Sequence, residues 1–478
     1  MASNRIKTPI KKGTELELDI ESLAFGGQGV ARLDDLVVFV PQTIPGQKVI
    51  ASVARNKKTY IEARLVKVLR QSPFYVDPAC AHFGACGGCS LQHLDYRQQL
   101  KAKENQVAET LKHIGNLDGF QQDAIIPSPD LFFYRNKMEF SFSCYRWLTR
   151  EEIDSGADLK KEGLFIGLHA KGFYDKIVDI DDCRLLDPAS NEIVRTLRDF
   201  ARASGLPAYR TRDHSGFWRF LVIRKSKNTD DLMVNVVTSR FEQVLAEKYK
   251  TLMNSRFPQI TSLLWSVTAK KASVAFSEEE YVLAGSRTIV EKLGPFAFEI
   301  SANSFFQTNT RGAERLYDAV IDYADLKEND VVYDLYSGAG TISIYISDRV
   351  QKVIGFEAVQ SAVQDAERNA KRNNIANCQF VAGDLRDLLA DTESVVSRYG
   401  HPDVMVIDPP RGGMHPKTVQ AILRLEPGRI VHVSCNPATL ARDLGVLCAS
   451  NYKLVRVRPV DMFPHTAHIE VVALLQKR

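Results

Sequence analysis

Val331-Val332-Tyr333-Asp334-Leu335-Tyr336-Ser337-Gly338-Ala339-Gly340-Thr341 reads as a buried strand running into a glycine turn and then a helix. Only glycine lets a ligand approach the backbone closely at such a turn. Phe356-Glu357 ends the next strand, where a carboxylate can accept both hydrogen bonds of a ribose diol. Outward from this pair, apolar runs predict strands over 331–335, 352–356, 378–381, 404–407 and 430–433, alternating with helical stretches. That alternation is the signature of a parallel sheet covered by helices.

The glycine turn and the acid together imply a nucleotide-like ligand, and dinucleotide dehydrogenases use the same geometry. The later strand ends separate the alternatives. Gly383-Asp384 follows the third strand, where an acidic side chain can reach an adenine amino group. Asp408-Pro409-Pro410-Arg411 follows the fourth, a turn typical of methyltransferases and foreign to dehydrogenases. Prolines alone could merely end a strand, but that leaves the preceding acid unexplained. Ser434-Cys435-Asn436-Pro437 follows the fifth. A lone cysteine in an apolar strand is more often inert core than a reactive group. Cys435 instead stands after the strand, where such sheets bind ligands, beside a helix start whose dipole would favour a thiolate.

Toward the N-terminus, strand patterns over 15–20, 36–40, 49–53 and 61–68 are separated by Gly26-Gly27 and Pro45-Gly46, which predicts a small antiparallel barrel. The net charge of +4 is small for 478 residues, yet Arg55, Lys57, Lys58, Arg64, Lys67 and Arg70 crowd one stretch against Glu62. Such a cluster reads either as a phosphate footprint or as a solvated face. Cys80, Cys86 and Cys89 have ligand-like spacing. Zinc, completed by His82 or His93, and a [4Fe-4S] cluster both fit that spacing. A helix is expected over 91–111, and a second, β-rich domain from Tyr134 to about Ser286, with strands over 138–144, 232–237 and 263–268 and a helix over 189–203. The length predicts two or three domains. No run is long enough to cross a bilayer and no apolar leader opens the chain, so the expected location is cytoplasmic.

Several stretches together resemble the RNA uracil-5 methyltransferase family: Ser434-Cys435-Asn436-Pro437, the run from Asp461 through Met462-Phe463-Pro464-His465 to Glu470, Ser304-Phe305-Phe306-Gln307-Thr308-Asn309, Tyr336-Ser337-Gly338, and Asp408-Pro409-Pro410-Arg411. The stretch Leu23 to Arg32 resembles the opening of a TRAM domain. The resemblance covers nearly the whole chain and is weakest over 149–250. It implies a multidomain α/β protein: an N-terminal OB-like TRAM barrel over 1–72, a central mixed α+β iron-sulfur and RNA-binding domain over 73–290, and a C-terminal Rossmann-like class I methyltransferase domain over 291–478.

The implied reaction is S-adenosylmethionine-dependent methylation of carbon 5 of a uridine in RNA. By resemblance Cys435 is the nucleophile that adds to carbon 6, and Glu470 the base that removes the carbon 5 proton. Covalent addition splits one hard step into two easier ones. S-adenosylmethionine contacts fall on Gln307, Tyr336, Glu357, Asp384 and Asp408. The family carries a [4Fe-4S] cluster, and Cys183 matches its fourth ligand beside Cys80, Cys86 and Cys89; Cys144, Cys378 and Cys448 remain core residues. The target uridine must be flipped out, with Phe305 and Phe306 as candidate surfaces and Arg135 near the RNA. Ribosomal RNA of the large subunit is the expected partner, tRNA the alternative, and a monomer is expected. A non-catalytic RNA-binding iron-sulfur protein is the reading from another class, and intact Cys435, Glu470 and Asp408 argue against it.

Overall fold

The computed structural model describes residues 10–156, 159–173, 175–271 and 274–478. They form two compact units. One takes the chain up to Gly84 together with Cys89–Gln106 and Phe463–His468; the other takes Ala85–Gly88, Val107–Met462 and Ile469–Arg478. Among the described residues no helix is long and apolar enough to cross a membrane.

The first unit is built on a six-stranded sheet. Alternation decides which residues enter its core: in Lys48–Asn56, Val49, Ala51 and Val53 are buried while their neighbours are not. The expected purely antiparallel pattern is corrected in one place. Tyr60–Arg70 pairs antiparallel with Lys48–Asn56 but parallel with Leu36–Val40, because the Lys48–Asn56 strand carries the chain back and the hairpin returns it in the earlier direction. The helix expected from residue 91 starts later, as Tyr96–Gly115. Asp95 takes the capping position, its carboxylate accepting from the Arg97 amide at 3.0 Å.

The second unit holds two large sheets. A seven-stranded sheet contains Lys137–Tyr145, Leu232–Thr238 and Ser262–Val267, near their expected bounds, together with Glu162–His169 and Trp218–Lys225. The helix Pro188–Ala203 is capped by Asp187, whose carboxylate accepts from the Ala189 amide.

The other sheet contains β1 (Val331–Leu335), β2 (Lys352–Glu357), β3 (Cys378–Ala382), β4 (Val404–Ile407), β5 (Arg429–Ser434), β6 (Tyr452–Val460) and β7 (Glu470–Lys477). Their spatial order is β3-β2-β1-β4-β5-β7-β6, with Gln121–Gln122 added beside β6. Strands β1 to β5 run parallel, and β7 is antiparallel to both its neighbours. The order reverses at β1, between β2 and β4, and open sheets of this kind bind ligands beyond the carboxyl ends of the strands at that point.

Candidate active site

Cys435 and Glu470 come to the same end of the sheet because β5 and β7 are antiparallel. Ser434 pairs with Val471, so the next step of the register sets Cys435 opposite Glu470 where one strand ends and the other begins. Cys435 is partly exposed, and Glu470 is buried. The helix Pro437–Ala449 starts at once, with Asn436 Oδ1 accepting from the Ala438 amide at 3.1 Å. The Asp408 turn is bound to the same corner: the Arg411 carbonyl accepts from Asn436 Nδ2 at 3.1 Å, and the Met414 amide donates to Asp443 on the helix at 2.8 Å.

The electrostatics follow from the same grouping. Burial, then the Glu470 carboxylate, pushes the Cys435 thiol up, while Arg411 pulls it down. Burial and Asp408 push Glu470 well above the ordinary carboxylate range, again opposed by Arg411. Asp408 is pushed up to about 6 by burial. The thiol is thus raised although the helix Pro437–Ala449 starts beside it. Loss of water and two nearby acids, Glu470 and Asp408, all disfavour a thiolate there.

Across the switch point, the glycine turn is shaped for a ligand. Tyr336 has φ 67° and Gly338 φ 55°; a side chain added at Gly338 would meet nothing within 4 Å. Positive φ at a tyrosine is costly and clusters at functional sites. Glu357 braces the turn, Oε2 accepting from the Gly338 amide at 3.0 Å and Oε1 from the Val359 amide at 2.8 Å. Each oxygen keeps a further lone pair for a hydroxyl. Asp384 is less available than the sequence implied. It caps the helix Leu385–Leu388 and pairs with Arg386, which holds its carboxyl down to about 2.

One acid was missed as a site residue. Asp334, fully buried on β1, accepts from the Ser343 amide and hydroxyl at 3.1 and 2.6 Å. Burial pushes it up to about 7. Its position just before the glycine turn was the available signal.

The Gln307 segment precedes the helix Thr310–Ala324, which Asn309 caps. The Gln307 carbonyl accepts from Asn136 Nδ2 at 2.8 Å, which ties the segment to the stretch just before the strand Lys137–Tyr145. The two phenylalanines part company. Phe305 is 71% exposed, whereas Phe306 is 3% exposed and packs on Phe298, so Phe306 is core and offers no stacking surface. In the first unit Lys57, Lys58, Arg64 and Lys67 are exposed, while Arg55 and Arg70 pair with Glu62 and Asp19.

Cys144, Cys378, Cys435 and Cys448 are free thiols. Cys86 and Cys183 are buried, and the Gly88 amide donates toward the Cys86 sulfur at 3.4 Å. Among the described residues no group of three or more His, Cys, Asp or Glu side chains is placed to hold a metal ion. Burial pushes the thiol of Cys378 up to about 12 and raises those of Cys144 and Cys448, which suits inert packing residues.

The family described as tRNA (Uracil-5-)-methyltransferase matches residues 246–478, and the TRAM domain matches residues 9–66. An RNA methyltransferase of Chlorobaculum tepidum is 44% identical over 434 residues, covering 91% of this chain and 90% of that one. The chain belongs to the RNA uracil-5 methyltransferase family. Another member, an RNA methyltransferase of Porphyromonas gingivalis, is 40% identical over 96% of this chain and 99% of its own. Among solved members, the Pyrococcus abyssi tRNA (uracil-54, C5)-methyltransferase, solved with S-adenosyl-L-homocysteine, is 31% identical with a TM-score of 0.74, covering 96% of this chain and 100% of that one. The family is S-adenosylmethionine-dependent and acts on RNA, and the TRAM match places its N-terminal module on this chain.

Proposed function

We propose that this protein methylates carbon 5 of a specific uridine in large-subunit ribosomal RNA through a covalent adduct on Cys435. The observation that carries the reading is the β5–β7 register, which sets a partly exposed thiol opposite a buried carboxylate. The Cys435 sulfur bonds to carbon 6 of the uracil, and the ring electrons move onto carbon 5 and the carbonyl oxygen. Bound S-adenosylmethionine would supply the methyl group to carbon 5, its sulfur–methyl bond breaking onto sulfur, and would leave as neutral S-adenosylhomocysteine. Glu470 then accepts the proton of carbon 5, the double bond re-forms, and the thiolate leaves carbon 6. Burial suits Glu470 to that task, because a carboxylate whose conjugate acid is weak is a stronger base. Arg411 is the cation on hand to favour both the thiolate and the carboxylate.

For the cofactor, Glu357 takes the ribose diol and Asp384 the adenine amino group, with Gln307, Tyr336 and Asp408 completing the site. Exposed Phe305 stacks on the flipped base, and Phe305→Ala raises KM for RNA. The chain works as a TRAM module over 1–72, a central module over 73–290 and a methyltransferase module over 291–478. Cys80, Cys86, Cys89 and Cys183 hold a structural [4Fe-4S] cluster. The reading rests on the ligand-like spacing of Cys80, Cys86 and Cys89 in the sequence and on the resemblance that adds Cys183, and not on a formed metal site among the described residues. Protein made without oxygen is then brown, and replacing any of the four by alanine bleaches it; stoichiometric zinc without iron would contradict this.

The layout of TRAM module and four-thiol set supports ribosomal RNA. The second reading, tRNA, is favoured by the substrate printed for the Pyrococcus abyssi relative. Mapping 5-methyluridine in ribosomal and transfer RNA from cells with and without the gene decides between them. Loss of one ribosomal site supports the first reading, and loss confined to tRNA establishes the second.

A further inference from the structure

Arg224 lies on the strand Trp218–Lys225, in the middle of the seven-stranded sheet, and is 2% exposed. Burying a guanidinium is costly unless fixed dipoles or charges offset the lost water. Burial pushes this one down to about 10. Glu139, the acid that favours its charge, is itself paired with Lys137. What the guanidinium holds is main chain: it donates to the carbonyl of Ala302 at 3.4 Å and to that of Ser304. Both carbonyls belong to the loop between the strand Phe296–Ile300 and the Gln307 segment.

The same loop is fastened at further points. Ser304 Oγ donates to Asp365, on the helix Gln360–Arg372, at 2.6 Å and accepts from the Ser301 amide at 3.1 Å. Asn303 grips the Ser277 main chain in both directions, Oδ1 accepting from its amide and Nδ2 donating to its carbonyl, each at 3.1 Å. On the far side of Phe305, Phe306 is core, and Asn136 holds the carbonyls of Gln307 and Thr308 at 2.8 Å. The backbone is thus anchored on both sides of a ring that is itself 71% exposed. A ring carried on a clamped backbone can take a base without first ordering its loop, and such preorganisation strengthens binding. We propose that Arg224 is a positioning residue for the methylation: with Ser304 as second anchor, it fixes the loop so that the Phe305 ring stands ready for the flipped uridine. The proposal rests on the stacking role given to Phe305 above and assigns the groups that hold that ring in place.

The test uses the full-length protein and a transcript that the wild-type protein methylates, with KM and turnover measured beside the melting temperature. Arg224→Lys keeps the charge and loses the fork that reaches two carbonyls. Ser304→Ala releases the loop from Asp365 and leaves the buried cation untouched. Each should raise KM for RNA by about fivefold, on the scale of one lost hydrogen bond, with little change in turnover at saturating RNA or in affinity for S-adenosylmethionine. Phe305→Ala should raise KM by about tenfold, on the scale of one base stacked on one ring. In the Phe305→Ala background neither further substitution should raise KM again, although each still lowers the melting temperature. This double-mutant cycle separates positioning from packing, since a merely structural role would move the melting temperature alone. An unchanged KM in both Arg224→Lys and Ser304→Ala, with a raised one in Phe305→Ala, would overturn the proposal and leave the stacking reading standing. Losses that add in full to that of Phe305→Ala would overturn it as well. A Phe305→Ala protein with the wild-type KM would instead strike the stacking reading, and the proposal with it.

Discussion

The carboxyl edge of one sheet carries two sets of acids in different surroundings. On the β4, β5 and β7 side, Asp408 and Glu470 are held above the ordinary carboxylate range by burial. On the β2 and β3 side, Glu357 accepts two backbone amides and Asp384 is held down by Arg386. On the proposed function the two sides serve different tasks. A base must be desolvated to take a proton from carbon, whereas a residue that recognises hydroxyls and amino groups needs a fixed, charged acceptor.

Substitutions on the two sides should therefore differ in kind. The largest binding effect is expected on the cofactor side: Glu357→Ala removes the proposed ribose acceptor and the brace of the glycine turn together. Affinity for S-adenosylmethionine, measured calorimetrically, should fall by roughly ten- to a hundredfold, as for loss of charge-assisted hydrogen bonds. Retained affinity would leave the turn rather than the acid as the recognition element.

On the catalytic side the expected signature is pH. The Asp408 carboxyl is raised from 3.8 to about 6, so the folded protein keeps a proton that the unfolded chain has already lost. Stability therefore falls as pH rises from about 4 to about 6 and stays reduced above that. Asp408→Asn removes this cost, so in denaturant titrations of the ligand-free protein the variant should gain on wild type across that window. The gain should reach on the order of 1–3 kcal/mol at neutral pH. A difference that does not vary with pH would mean that Asp408 is not desolvated in solution.

The smallest effect belongs to Asp384, already committed to an exposed pair. Asp384→Ala should weaken S-adenosylmethionine binding by less than about fivefold, in line with the worth of surface ion pairs. A loss as large as that of Glu357→Ala would mean that the Arg386 pair gives way when adenine binds.

Much of this edge is legible in the sequence, because central strands buried on both faces read as unbroken apolar runs. All five parallel strands fall within a residue or so of their expected bounds. The order of β6 and β7 carries no such signal, yet it is what brings Glu470 to Cys435. Buried polar residues are equally hidden. Glu291, on a short strand beside Lys292, is 1% exposed and accepts from Ser226, Lys227, Asn228 and Thr310. Arg224 ends an apolar run and donates to the carbonyls of Ala302 and Ser304. Their partners come from elements far apart in the chain, so composition and period cannot foretell their burial. Phe305 and Phe306 show the same limit within a loop, where no strand or helix period says which ring turns inward.

The central claim is the division of labour between Cys435 and Glu470, and a denaturing gel of protein mixed with S-adenosylmethionine and labelled RNA tests it most directly. Glu470→Gln should add to the uridine and accept the methyl group, then stall as a covalent complex with turnover reduced by about a hundredfold or more. Cys435→Ala should bind both partners and form no complex. A Glu470→Gln protein that turns over normally, or a covalent complex that persists in Cys435→Ala, would contradict the account.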